Sequence, residues 1–166
     1  MKSVILFRHG KSDWNANYND DHERPLAKRG IKASKIMGQM LSTRNEIPDQ
    51  IISSTALRTR TTAELAAKKG KWNLGIKFDK NIYGGSVETL ISILRQQNNE
   101  KKIICLVGHE PTFSTFITKI GNSNLIKFPT AAMARIDFET EKWKRIELEV
   151  EKCRLNWFIR PKDLNQ

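Results

Sequence analysis

The amino-acid sequence predicts an α/β protein, a three-layer α/β/α sandwich whose mostly parallel central sheet continues into antiparallel C-terminal strands. Short β-rich segments alternate with amphipathic helical segments over the first two thirds of the chain, which is typical of βαβ crossovers. Lys102–Val107 is an apolar run suited to the centre of a parallel sheet. From Ala132 onward only strand-like segments follow, and a turn at Glu139–Glu141 indicates antiparallel pairing.

The first half of the chain is predicted to alternate strand and helix twice. Apolar residues of the first helix recur at the i, i+3, i+4 and i+7 spacing of an amphipathic helix. Pro48 and Asp49 separate that helix from the second strand, and Gly70 stops the second helix. In order, the elements are a strand at Ser3–Phe7, a helix from Leu26 to about Arg44, a strand at Gln50–Ser53 and a helix from Thr55 to about Lys69.

The second half continues the alternation and then changes to strands alone. Ser86 can cap a third helix, in which Val87, Leu90, Ile91 and Leu94 form the apolar stripe. The predicted elements are a weak strand at Gly75–Phe78, the helix after Ser86, the strand Lys102–Val107, a helix from about Thr112 to Ile120, and strands at Ala132–Phe138, Trp143–Val150 and about Arg154–Ile159.

Composition predicts one soluble, cytoplasmic domain that spans residues 1–166. Hydrophobic residues make up 39% of the chain and charged residues 28%, which fits a globular protein rather than a disordered one. No apolar run is long enough to cross a bilayer, and the five-residue run before Arg8 is too short for a signal peptide. Cys105 and Cys153 lack CxxC spacing, so we expect reduced thiols.

The net charge of +11 predicts an anionic partner. Nucleic acid, an acidic protein surface and a phosphorylated ligand would all satisfy it, so the charge indicates the sign of the partner and little else.

Four residues with reactive or charged side chains are predicted to meet at one edge of the sheet. Ligands of such sheets bind beyond the carboxyl ends of the strands. Arg8 and His9 follow the first strand, His109 follows the central strand, and Arg58 lies in the first turn of the helix after the second strand. Each could be an ordinary structural residue alone, but together they indicate a site.

Two arginines and two histidines without a nearby acid are suited to a phosphate dianion. Arginine binds phosphate oxygens bidentately, and a neutral imidazole can attack phosphorus. Neighbouring arginines disfavour a divalent cation, and the chain has no HExxH, GxSxG or GxxxxGK[ST] motif. We therefore expect phosphoryl transfer through a histidine, without a metal or another cofactor.

Four sequence blocks in order, RHGKSDWN, DHERPLAKRG, DQIISSTALRTRTTAE and CLVGHEPTF, resemble the histidine phosphatase superfamily, the phosphoglycerate mutase-like clan. RHGKSDW, DHERPL and VGHEP look most like the small SixA-type phosphohistidine phosphatases. The resemblance implies that His9 is the nucleophile and that Arg8, Arg58 and His109 line the phosphate pocket. It also implies substrate contacts from Asn15 and from the backbone N–H of Glu110. The segment DHERPLAKRG is either one wall of the pocket or a rigid loop that enters the first helix.

The substrate prediction depends on the position where many members of this superfamily have a proton-donating acid. Many members have a glutamate shortly before a Tyr-Gly-Gly-like segment, where it protonates the leaving alkoxide. Here the segment reads KFDKNIYGGS, with Lys80 at the position of the acid, and Asp79 would point to the other face of a strand. An alkoxide needs a proton at departure, whereas phosphohistidine releases a neutral imidazole.

The sequence thus predicts a phosphohistidine phosphatase that acts through a covalent phosphohistidine on His9. The predicted partner is a phosphohistidine-bearing phosphotransfer or phosphocarrier domain that docks on the basic surface. One alternative is a general phosphomonoesterase with a small phosphorylated substrate. The less favoured alternative is a non-catalytic basic module that binds phosphate or nucleic acid, although no aromatic-interleaved basic stripe supports it. We expect neither nucleic acid nor a membrane as a partner.

Overall fold

The computed structural model describes residues 1–121 and 127–164 as a six-stranded sheet with four helices. The strands are β1 (Lys2–Arg8), β2 (Gln50–Ser53), β3 (Ile76–Phe78), β4 (Ile103–Gly108), β5 (Met133–Phe138) and β6 (Cys153–Ile159). The helices are α1 (Lys28–Thr43), α2 (Leu57–Gly70), α3 (Val87–Arg95) and α4 (Thr112–Lys119). Short 3₁₀ turns cover Asp21–Glu23, Lys80–Ile82, Trp143–Arg145 and Pro161–Leu164.

The sheet has the order β3-β2-β4-β1-β5-β6. The first four strands in this order are parallel, and β5 and β6 are antiparallel to their neighbours. Strand β4 pairs along its whole length with residues Ser3–Arg8 of β1, and Arg8 lies opposite Gly108. The carboxyl ends of these two central strands therefore lie side by side, which confirms the predicted α/β class and its antiparallel C-terminal extension.

Helices cover both faces of the sheet because successive strand side chains point to opposite sides. Ile5 and Phe7 of β1 pack into the core beneath α1 and α2. Val4 and Leu6 of the same strand pack into the second core, beneath α3 and α4. The structure is the predicted three-layer sandwich. None of the helices in residues 1–121 and 127–164 is long and apolar enough to span a membrane.

Glycines hold the start of α1 tightly against the loop that follows β1. A Cβ atom on Gly10 would lie 2.6 Å from the carbonyl oxygen of Gly30, so neither position leaves room for a side chain. Close by, the Ala27 N–H donates to the Lys11 carbonyl at 2.8 Å. These contacts place the amino end of α1 beside Gly10 and Lys11, which directly follow His9.

The predicted strand Trp143–Val150 is wrong, because the segment forms a 3₁₀ turn and then an irregular stretch. Trp143 is fully buried, and its indole N–H donates to the Lys101 carbonyl at 2.7 Å. The Arg95 guanidinium donates twice to the Ile146 carbonyl, so that carbonyl is engaged by a side chain rather than by a neighbouring strand. The apolar side chains of this segment cover the end of α3, and β6 takes the place next to β5.

Candidate active site

Arg8, His9, Arg58 and His109 line one cleft of about 710 Å³ at the carboxyl edge of the parallel strands. His9 follows β1 and His109 follows β4, so the pairing of these strands brings the two imidazole rings to a centroid separation of 5.5 Å. Arg58 enters from the first turn of α2, immediately after β2. The parallel sheet thus assembles the four residues from three separate parts of the chain, as the strand-end rule requires.

The imidazole of His9 is held as the tautomer that a nucleophile needs. Its Nδ1 lies 2.7 Å from the Gly10 carbonyl oxygen, which can only accept, so Nδ1 carries the proton and Nε2 keeps its lone pair. Burial, together with the charges of His109, Arg8 and Arg58, lowers the pKa of His9 to about 3. At neutral pH the ring is therefore uncharged, and Nε2 is free to attack an electrophile.

His109 is oriented by a serine that follows the neighbouring strand β2. The Ser54 Oγ lies 2.8 Å from the His109 Nε2 and accepts the Ala56 N–H at 3.3 Å. The other ring nitrogen of His109, Nδ1, is buried and has no partner within the described residues. Burial and the charge of Arg58 lower the pKa of His109 to about 4, so the ring is a neutral donor at pH 7.

Arg58 is buried and engaged with Asp21, which brings a carboxylate to a site that the sequence analysis expected to have no nearby acid. The guanidinium donates to the Asp21 carbonyl at 2.7 Å and to its carboxylate at 3.0 Å. The same carboxylate accepts the Tyr83 O–H at 2.7 Å and pairs with Arg24. The Tyr83 hydrogen bond, followed by Arg58, lowers the pKa of Asp21 to about 2.

The expectation of a site without a nearby acid is thus wrong. Asp21 nevertheless does not supply the proton that an alkoxide leaving group needs. A carboxylic acid with a pKa of about 2 is ionised at neutral pH and cannot deliver a proton to a leaving group. The segment DHERPLAKRG forms one wall of the cleft, through Asp21 and Arg24, and is not merely a loop leading into α1. The sequence signal for this wall was a group of three charged residues just before a proline, Asp21, Glu23 and Arg24.

Arg8 points its guanidinium across the end of the sheet. Its Nη1 donates to the Phe128 carbonyl at 2.8 Å, and its Nε is buried without a partner among the residues that the structure describes. Burial lowers the pKa of Arg8 from its usual range, opposed by Glu110, but arginine keeps its charge at neutral pH. A partly buried guanidinium beside His9, with its Nε unpartnered, can bind the oxygens of a phosphoryl group.

The two predicted substrate-binding residues have different positions. Glu110 lines the cleft, and its carboxylate accepts the Ser114 N–H at 2.7 Å near the start of α4. Asn15 is exposed, its backbone N–H donates to the Asp13 carboxylate at 3.0 Å, and it is not one of the residues that line the cleft. The contacts of Glu110 and Asn15 with phosphate therefore remain predictions, and the present geometry favours Glu110.

Lys80 and Asp79, the residues at the position of the expected acid, lie outside the cleft. They border a separate surface depression, and the Asp79 carboxylate accepts the Asn81 N–H at 2.9 Å. The following Tyr83, Gly84 and Gly85 line the cleft, and the Tyr83 ring is edge-on to His109 at 5.5 Å. Within residues 1–121 and 127–164, Asp21 and Glu110 supply the only carboxylates that line the cleft.

The buried histidines predict a loss of stability in mild acid. The folded-state pKa values of His9 and His109, about 3 and about 4, lie below the 6.5 of an exposed histidine, so between pH 7 and pH 5 only the unfolded chain takes up these protons. The contribution of the two neutral histidines to stability is therefore fully present above pH 6.5 and is lost as the pH falls. We expect the free energy of unfolding to drop by about 2 kcal/mol per histidine between pH 7 and pH 5.

Urea denaturation at pH 7, 6 and 5 measures this loss. In a His9→Asn/His109→Asn variant the difference between pH 7 and pH 5 should shrink by about 4 kcal/mol, since neither replacement titrates. An unfolding free energy that is flat in the wild-type protein over this range would show that the two rings are not held neutral by burial.

Arginines and histidines at the strand ends of an α/β sandwich, around a cleft that can take a phosphoryl group, define a phosphatase- or mutase-type enzyme. The chain belongs to the histidine phosphatase superfamily, whose branch 1 model matches residues 4–82. An uncharacterised protein of Mycobacterium tuberculosis is 30% identical over 137 residues, which cover 76% of this chain and 84% of that protein.

Within this superfamily, the fold is SixA-like. A structure from Agrobacterium tumefaciens, provisionally assigned as the phosphohistidine phosphatase SixA, is 29% identical and superposes with a TM-score of 0.80 over 96% of this chain and 98% of that one. The structure of the protein histidine phosphatase SixA complexed with tungstate has a TM-score of 0.82 over 98% of this chain and 99% of that one. At 20% identity, the second likeness shows the fold alone.

Proposed function

We propose that the protein is a phosphohistidine phosphatase that works through a covalent phosphohistidine on His9. The observation that carries the proposal is a cleft that combines a neutral imidazole nucleophile with two arginines, and in which both carboxylates that line it within residues 1–121 and 127–164 accept hydrogen bonds. The Asp21 carboxylate is ionised and engaged by Arg58, and a Glu110 carboxylate oxygen accepts the Ser114 N–H.

In the first step the phosphoryl group passes from the substrate imidazole to His9. The Nε2 lone pair of His9 forms a bond to phosphorus as the bond from phosphorus to the substrate nitrogen breaks. Arg8 and Arg58 offset the charge on the equatorial oxygens, and the neutral His109 ring is a further donor to one of them. The His9 Nδ1–H donates to the Gly10 carbonyl throughout, which stabilises the positive charge that develops on the ring.

In the second step water attacks phosphorus, and the bond from phosphorus to the His9 Nε2 breaks. The proton released by water leaves on the phosphate, and the Nε2 regains its lone pair. Because the pKa of His9 is lowered to about 3, the imidazole departs readily without being protonated at Nε2.

The leaving group distinguishes phosphohistidine from a phosphate ester. When the substrate is a phosphoimidazole that carries a proton on its far nitrogen, the leaving group is neutral imidazole. Its departure needs no acid in the cleft. An alkyl phosphate must depart as an alkoxide unless an acid delivers a proton, and such general acids are worth about 10²–10⁴-fold in rate. The 29% identity to the Agrobacterium tumefaciens protein over nearly the whole chain supports the same substrate class.

Substrate comparison tests the proposal. We expect kcat/KM for a phosphohistidine-bearing protein to exceed that for phosphoserine or a sugar monophosphate by at least about 10²-fold, because the esters need a proton donor and both described carboxylates of the cleft act as hydrogen-bond acceptors. Phosphate release from each substrate, measured at pH 7 with equal enzyme, gives the ratio.

A Glu110→Gln variant serves as the control for the leaving-group argument, since Glu110 is the cleft carboxylate not paired with an arginine. Its turnover of phosphohistidine should stay within a few-fold of the wild-type value. Efficient ester hydrolysis that collapses in Glu110→Gln would identify a general phosphomonoesterase with Glu110 as its acid, and would refute the phosphohistidine assignment.

A further inference from the structure

The Asp21 carboxylate is the point at which three parts of the cleft wall meet. It accepts the Tyr83 O–H at 2.7 Å and the Arg58 Nη2–H at 3.0 Å, and it pairs with Arg24. Arg24 belongs to the same loop, Arg58 to the first turn of α2, and Tyr83 to the segment before α3. All four residues line the cleft. A single side chain thus ties the long loop after β1 to two other walls of the site.

Asp21 holds Arg58 by the two terminal nitrogens of its guanidinium. The Nη1–H donates to the Asp21 carbonyl at 2.7 Å, and the Nη2–H donates to the Asp21 carboxylate at 3.0 Å. A guanidinium has a second pair of parallel N–H groups, on the edge formed by Nε and Nη2. The Nε of Arg58 has no partner within residues 1–121 and 127–164. The contacts with Asp21 therefore fix the plane of the guanidinium and leave its Nε edge unused.

Unpartnered buried polar atoms are concentrated in this cleft. Within the described residues, five buried side-chain nitrogen or oxygen atoms have no hydrogen-bond partner, and all five belong to residues that line the cleft, Arg8, Ser12, Arg24, Arg58 and His109. A buried polar group without a partner costs free energy in a folded protein. A phosphoryl group, which is rich in acceptor oxygens, is a physical reason to keep such donors at one place.

The contacts of Asp21 favour a carboxylate that stays in place when a phosphate binds. The Tyr83 hydrogen bond, followed by Arg58, lowers the pKa of Asp21 to about 2, so the group is an anion at neutral pH. The side chains of Arg24 and Arg58 are both only 7% exposed, and among the described residues Asp21 is the carboxylate that pairs with each of them. Removal of one partner from a buried ion pair is strongly destabilising, because the other charge is left uncompensated.

We propose that Asp21 is a positioning residue that aims the Nε edge of the Arg58 guanidinium at the phosphoryl group; this rests on the phosphohistidine phosphatase function. Asp21 does not touch the phosphoryl group, since two anions repel each other. Its charge alone would weaken phosphate binding, and orientation of Arg58 is the effect that offsets this cost. Placement matters because an error of about 1 Å in a catalytic group can cost about 10²-fold in rate.

An Asp21→Asn variant separates orientation from charge, because the two effects have opposite signs. Loss of the negative charge alone would strengthen phosphate binding. Asparagine, however, replaces one acceptor oxygen by an N–H₂ group, which cannot accept from Arg58, Arg24 or Tyr83. We expect kcat/KM for a histidine phosphotransfer domain phosphorylated with phosphoramidate to fall by about 10- to 100-fold. The affinity for inorganic phosphate, measured by calorimetry, should fall by at least about threefold.

Asp20→Asn is the matched control, since Asp20 is exposed on the same loop, lies outside the cleft lining and carries the same charge. It should change both values by less than about twofold. Tyr83→Phe is a second test variant, which keeps the carboxylate and removes one of its donors. It should lower kcat/KM by about 3- to 10-fold, the effect of one hydrogen bond, and it tests the proposal even if Asp21→Asn does not fold.

A double-mutant cycle with Arg58→Gln shows whether Asp21 acts through Arg58. In the Arg58→Gln background, neither Asp21→Asn nor Tyr83→Phe should lower kcat/KM further by more than about threefold. Losses that multiply with that of Arg58→Gln would overturn the proposal. So would an equal loss in Asp20→Asn, or tighter phosphate binding by Asp21→Asn, which would identify Asp21 as an anion that competes with phosphate.

Failure of the phosphatase assignment gives a different pattern. In that case the wild-type protein does not hydrolyse the phosphorylated domain, and calorimetry with inorganic phosphate decides the role of Asp21. Weaker binding by Asp21→Asn than by Asp20→Asn supports the positioning role. Equal or tighter binding contradicts it, and so does a wild-type protein that binds no phosphate.

Discussion

Replacement of His9 by alanine is expected to lower kcat by at least about 10⁴-fold, because the variant has no atom that can take the phosphoryl group. His9 lies between Arg8 and His109, and its free Nε2 is the lone pair that the cleft presents to phosphorus. Incubation with a labelled phosphodonor, followed by an alkaline quench that preserves phosphohistidine, should show label in the wild-type protein and none in His9→Ala.

His22 is the matched control for this experiment, since it is the third histidine of the chain. It lies outside the cleft lining, edge-on to Tyr83 at 5.0 Å, with Nε2 2.8 Å from the Thr55 hydroxyl. His22→Asn should retain the label and most of the turnover. Label on His22, or undiminished activity in His9→Ala, would eliminate the covalent mechanism.

Replacement of Arg58 by glutamine is expected to lower kcat/KM by about 10²–10³-fold, the typical effect of removing one group that stabilises transition-state charge. Arg58 is buried beside both histidines, so the loss cannot be made up by solvent as easily as at an exposed position. The charge of Arg58 also contributes to the lowered pKa values of His9 and His109.

The effect of Arg58 on the pKa values of His9 and His109 can be measured independently of activity. Without the cation the pKa values of both rings should rise, so the acid limb of the pH–rate profile should move to higher pH, and NMR titration of the rings should show the same direction. Arg60→Gln, two residues along α2 and outside the cleft lining, removes an equal charge. A similar loss of activity in Arg60→Gln would indicate a general effect of charge, and unchanged ring pKa values in Arg58→Gln would contradict the electrostatic role of Arg58.

Much of the fold was predictable from local pattern, and the exceptions have a common cause. The strand Gln50–Ser53 was predicted with its observed bounds, and Ser86 caps α3 through the Thr89 N–H as expected. The predicted strand after Trp143 failed because an alternating apolar pattern also fits a covering segment whose side chains fill the space beside α3. Periodicity reports which side chains are buried, but it does not report which backbone pairs with them.

The residues of the site likewise include some whose positions could be inferred from the sequence and one, Asp21, whose position could not. Parallel strands place their carboxyl ends at one edge, so the meeting of Arg8, His9 and His109 could be inferred from their positions after predicted strands. Asp21 could not be placed similarly, because it follows no strand and lies in a 3₁₀ turn of a long loop. Its contact with Arg58 depends on how that loop folds back over α2.

Order along the chain was thus sufficient for the layer architecture and for the meeting of Arg8, His9 and His109 at one edge of the sheet. Those properties follow from short-range periodicity and from the geometry of parallel strands. The ionised state of Asp21 and the proton position on His9 required the folded structure. Each of these depends on burial or on the distance between residues far apart in sequence, and such distances exist only once the loops and helices have packed.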